Sequence, residues 1–158
     1  MATKAESADL VLKLYDLRRE KKMRKARKWF FDFTPKTADD YIKTVMDPKV
    51  GPLLRMVTSY WDMAAALVNQ DCIDSEVFNA ANSEHIVVFA KLEPILAELR
   101  QKFDRPALFS NLEQMIANAA GGPERLRKTQ EWLATLDAAR QAGKGSDSEL
   151  ADEKAAKG

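Results

Sequence analysis

With one cysteine and one histidine in 158 residues, the chain lacks most of the groups that announce a reaction. Cys72 alone can form neither an intrachain disulfide nor a Cys-x-x-Cys redox pair, and it cannot build a thiolate metal cluster, which fits a reducing compartment. His85 alone excludes the two Glu-x-x-His motifs of a di-iron bundle and any His-x-x-x-His zinc pair, so no metal and no cofactor is expected. Glycine-rich phosphate loops and Gly-x-Ser-x-Gly are missing as well. No catalytic residue is therefore assigned, and a binding role is favoured over an enzymatic one. The apolar runs are shorter than the roughly 18 to 20 residues of a spanning helix, so no membrane span is expected. The N-terminus, MATKAESADLVLKLYDLRRE, mixes acids and bases into its apolar run, which is not the layout of a signal peptide; a cytoplasmic location is expected. Strand alternation, a fixed repeat and a sustained heptad are also absent.

What remains is helical. At 46% hydrophobic and 31% charged residues, the chain has the composition of one soluble domain with one core. Ser7 suits an N-cap with Asp9 near the positive end of the dipole, and no Gly or Pro follows until Pro35, so a first helix is expected from Ser7 to about Phe33. Thr37 caps a short helix over Tyr41, Ile42, Val45 and Met46, which DPKVGP ends. Apolar residues at 53, 57, 60, 64 and 67 and again at 54, 61, 65 and 68 give the next helix two buried faces, so it is read as central. Asp74 caps a short helix through Phe78, and Asn82 or Ser83 caps a longer one with a stripe of Ile86, Phe89, Leu92, Leu96, Leu99 and Phe103, kinked at Pro94. Leu108, Leu112, Met115 and Ile116 mark another helix, and Leu126, Trp132, Leu133 and Leu136 mark the last, to about Gln141. The fold class predicted is all-α: an irregular bundle of about five long and two short helices in a single domain over 1–142, with a flexible, disordered tail over 143–158 where little can be buried.

Charge is uneven along the chain. Residues 18 to 28 hold eight bases and one acid, and the rest of the chain holds 17 bases against 23 acids. On a continuous helix Leu12, Tyr15, Arg19, Met23, Ala26, Phe30 and Phe33 share the core-facing sector, while Arg18, Lys21, Arg24, Lys25 and Lys28 project elsewhere. Like charges at i, i+4 cost a few tenths of a kcal/mol each. The ridge is then either solvated, matched internally by acids such as Asp39, Asp40 or Glu113, or aimed at something anionic. An acidic protein surface or a second copy of the chain is the partner favoured. Nucleic acid is the alternative, without a helix-turn-helix, finger or base-stacking motif to support it.

Three further positions carry expectations. Asp62, in an otherwise apolar helix, is expected to pair with Arg19 or Arg27; the alternative is a polar small-molecule pocket with Tyr60 and Trp61. His85, in a first helical turn beside Glu84, reads as a capping or surface residue. Cys72 sits in an acidic turn that opposes thiolate formation and reads as structural.

The segments DLVLKLYDLRRE, RKARKWF and LLRMVTSYWDMAAALV resemble parts of small, uncharacterised, all-helical bacterial proteins without an assigned activity. The resemblance spans about the first two thirds of the chain. It implies a bacterial cytosolic helical domain and transfers no site residue.

Overall fold

The opening segment folds as two helices, α1 (Lys4–Arg19) and α2 (Lys21–Asp32), because Glu20 leaves helical geometry at φ −56°, ψ 140°. Glu20 serves both ends: its N–H donates to Leu17 O at 3.3 Å, and its carboxylate accepts from Met23 N at 3.0 Å as the N-cap of α2. The backbone N–H groups of Lys22 and Met23 hold the Glu20 carboxyl below its ordinary range. A break there resets the helical phase, so the single core-facing sector expected over 7–33 is corrected. Leu14 and Ser7 are the buried residues of α1, whereas Leu12, Tyr15 and Leu17 are exposed. In α2 the expected set holds: Met23, Ala26 and Phe30 are buried. Ser7 is not the cap of α1; Thr3 is, in a capping box with Glu6, and the Ser7 hydroxyl accepts instead from Asp74 N at 2.8 Å.

The computed structural model describes the backbone of residues 1–156 and the side chains of residues 1–144; among the described residues there are eight helices and no strand. Thr37 and Asp40 form a capping box at the start of α3 (Ala38–Met46), as its sequence leads one to expect. The chain then turns so tightly into α4 (Gly51–Asn69) that a Cβ on Gly51 would lie 2.4 Å from Val45 O, which only glycine avoids. Leu54, Val57, Trp61, Ala64 and Ala65 of α4 are fully enclosed, and α2, α3, α6 and α7 all pack on it, which makes it the central helix. Asp74 caps α5 (Ser75–Ala81) by accepting from Val77 N at 2.9 Å.

α6 (Glu84–Lys102) runs unbroken through Pro94, whose ring lies on the exposed side while Leu92, Ile95, Leu96 and Leu99 stay buried across it. α7 (Ser110–Asn118) begins after Phe109, so Leu108 precedes the helix rather than lying on it. A Cβ on Gly122 would fall 1.9 Å from Ile116 O, and Gly121 takes φ 66°, so both glycines are needed to turn from α7 into α8 (Gly122–Ala156). The last helix therefore does not stop near Gln141. Residues 146–156 contain no glycine or proline and are mostly strong helix formers, which carries the backbone on to Ala156. As regards side chains, the flexible tail expected over 143–158 falls almost wholly outside the described residues.

Candidate interaction surface

The inner side of α2 binds its charges into the fold. Arg27 Nε donates to both Glu84 oxygens, at 2.9 and 3.0 Å, and that carboxylate raises the guanidinium pKa further. Glu84 also accepts from Trp61 Nε1 at 3.2 Å, so one carboxylate at the start of α6 joins α2 to α4. At the other end of α2, Lys91 reaches from α6 and its ammonium donates to the carbonyls of Phe30, Phe31 and Phe33 at 2.8 to 2.9 Å. These carbonyls lie at the helix C-terminus, where a cation is favoured. Burial pushes the Lys91 amine down to about 8. Arg18, expected on the outward ridge, is turned inward: its guanidinium carbon lies 5.4 Å from the Trp61 ring centroid, and its Nε is buried.

The outer side does the opposite. Lys21, Arg24, Lys25 and Lys28 follow i, i+3, i+4, i+7 spacing along one exposed face. Among the described residues no carboxylate lies within 4 Å of any of them or of Lys22, and none makes a side-chain hydrogen bond. The acids considered as internal matches are engaged elsewhere: Asp39 with Lys102, Asp40 with its own capping box, Glu113 with Arg100. Arg24 and Lys28 form the rim of a groove of about 430 Å³ between α2 and the start of α6, with exposed Phe31 and part-buried Val87 on its apolar side.

Residues 3–119 match the model of a domain of unknown function, DUF4760. The chain belongs to the DUF4760 family. No curated protein and no solved structure matches it. The DUF4760 match spans α1 to α7, and so includes the ridge and the groove, and ends just before α8.

Within the DUF4760 domain the proposed trio at 60–62 does not share a pocket. Tyr60 donates its hydroxyl to Leu14 O at 2.6 Å and is pushed up to about 12 by burial; Trp61 is enclosed; Asp62 faces α7. Asp62 pairs with neither Arg19 nor Arg27. Its carboxylate accepts from Leu112 N at 3.1 Å and from the Asn111 side chain at 3.0 Å, capping α7 from a neighbouring helix. That cap is needed because Phe109, at the N-cap position of α7, makes no side-chain hydrogen bond. Arg55, on the same helix as Asp62, donates to Val45 O at 3.0 Å.

His85 is neither a cap nor a surface residue. It is fully enclosed between Phe78 and Trp61, at centroid distances of 5.2 and 5.8 Å, and neither ring nitrogen has a protein partner. Burial, aided by the Arg125 charge, pushes its pKa down to about 4. Cys72 is exposed, so it does not serve the core. Lys91 and Glu84 escaped the sequence reading. The one legible trace was the single lysine inside the apolar run of 86–96, three residues after Val88 and four before Ile95. Among the described residues no helix is long and apolar enough to cross a membrane, and no group of three His, Cys, Asp or Glu is placed to hold a metal.

Proposed function

We propose that this protein is a non-enzymatic interaction or scaffold protein of the bacterial cytosol, and that the face formed by Lys21, Arg24, Lys25 and Lys28 binds an acidic protein surface. The observation that carries this reading is that, among the described residues, no carboxylate lies within 4 Å of these four cations. Four exposed cations at helical spacing, without an ion-pair partner among the described residues, offer their charge to an outside partner. The groove beside them adds an apolar anchor point, so the matching surface is an acidic one with an aromatic or aliphatic side chain at its centre. A second copy of this chain is also a candidate partner, because 23 acids against 17 bases lie outside the basic stretch.

Sedimentation of the full chain at low and high salt tests the reading, run alone, with poly-L-glutamate and with duplex DNA. The expected result is binding to poly-L-glutamate that weakens with salt and is lost when Lys21, Arg24, Lys25 and Lys28 are all changed to Glu. Salt-sensitive self-association lost in the same variant would identify the second copy as the acidic surface. Tighter binding to DNA than to poly-L-glutamate would favour the nucleic-acid reading instead. Binding unchanged in the quadruple variant would exclude the face altogether.

A further inference from the structure

Away from the ridge, α3, α4 and the segment from Phe103 to Phe109 enclose a cavity of about 480 Å³, within the range of small-molecule sites. None of the ridge residues lines it. Its walls are largely apolar, and its polar groups converge. Tyr41 is buried in this wall beside Thr58; burial pushes its pKa up, while Thr58 and the Arg55 and Arg105 charges pull it down. Two arginines, Arg55 and Arg105, thus line the same cavity as Tyr41. Arg55 spends one nitrogen on Val45 O, and the Arg105 side chain has no hydrogen bond or ion pair among the described residues. The one carboxylate of the lining, Asp62, already accepts two hydrogen bonds from the start of α7. The wall is also strained. Asp104 and Phe109 take φ 50° and 56°, a left-handed geometry that costs about 1 to 2 kcal/mol for a phenylalanine.

We propose that this cavity binds a small amphiphilic carboxylate, its body of about ten carbons against the apolar walls and its carboxyl group held by Arg55 and Arg105. The sign of the head group follows from two cations left uncompensated at the wall. Its planarity follows from the fork geometry of the guanidinium donors. The apolar body follows from the scarcity of other free polar groups in the lining.

The test is a calorimetric and ¹H–¹⁵N NMR titration of the full chain with sodium decanoate and with decanol. Decanoate is expected to bind saturably, shifting the amides of Tyr41, Thr58 and Phe109, and decanol about tenfold or more weakly. Arg105→Ala should weaken decanoate about tenfold without changing the melting temperature, since that side chain holds nothing in the free protein. Met46→Glu, at an exposed position on the rim, should weaken decanoate and spare decanol. No saturable binding of decanoate overturns the proposal. So does decanol binding as tightly, an Arg105→Ala variant that binds decanoate unchanged, or amide shifts confined to other parts of the fold.

Discussion

On the inner side of α2, Arg27 is clasped by Glu84, and Lys91 from α6 holds three carbonyls at the helix end; on the outer side Lys21, Arg24, Lys25 and Lys28 hold nothing among the described residues. Arg27 and the four outer cations belong to one twelve-residue helix, and Lys91 reaches its inner side from α6. What separates them is enclosure. A cation removed from water must find an acceptor or be neutralised, whereas one left in water needs neither. Inner polar groups should accordingly control stability, and outer ones should control association.

The largest effect expected on the inner side is acid sensitivity from His85. Its pKa is about 4 in the fold against an ordinary 6.5, so as the pH falls below 6.5 the unfolded chain takes up a proton that the folded chain refuses. Stability is fully present above about pH 7 and falls through the window from 6.5 to 4, by about 3 kcal/mol at most. Urea unfolding at a series of pH values should show this limb. His85→Leu should flatten it and cost little at pH 7.5, because the imidazole nitrogens it removes are unpaired. An unchanged acid limb in that variant would assign the sensitivity to other groups.

Lys91→Met should have the next largest effect, a loss of about 2 kcal/mol in urea unfolding at pH 7. Three carbonyls lose their ammonium, while the burden of enclosing a charge is lifted, and the first of these outweighs the second because the helix end stays buried. Stability unchanged or raised would mean that the inner lysine does no more for the fold than the outer ones.

The same contrast explains which parts of the molecule could be read from its sequence. The all-helical class, the caps at Thr37 and Asp74, the central α4 and the stripe of α6 were legible, because apolar spacing and capping residues are local signals, but the count of about seven helices fell one short of the eight observed among the described residues. The break at Glu20 was not. No Gly or Pro marks it, and a carboxylate that caps the following helix looks in sequence like any other charged helix residue. Missing it displaced the phase of α1, which is why Leu12 and Tyr15 were assigned to the core and are exposed. Asp62, Glu84, His85 and Lys91 were misread or overlooked for a different reason. The partners of Asp62, Glu84 and Lys91 lie between about 23 and 61 residues away in the chain, and the ring that encloses His85 with Phe78 comes from Trp61 on another helix; nothing local specifies contacts at those separations. The exposure of Lys21, Arg24, Lys25 and Lys28 was legible because it depends on no distant partner, whereas the inward turn of Arg18 onto Trp61 was not.

The smallest effect expected is the most discriminating. Lys21 and Lys22 lie in the first turn of α2, where the helix dipole disfavours cations, and Lys21 also faces Lys25 at i, i+4. Lys22→Glu should therefore leave the fold intact and stabilise it by a few tenths of a kcal/mol, seen as a small rise in melting temperature. Lys25→Glu should do the same by converting a repulsion with Lys21 into an attraction. Both should weaken binding to poly-L-glutamate. A gain in stability paired with a loss of binding is a combination that a structural role cannot produce. If instead either substitution destabilises the protein by more than about 1 kcal/mol, its lysine is part of the fold, and the distinction between the two faces of α2 fails.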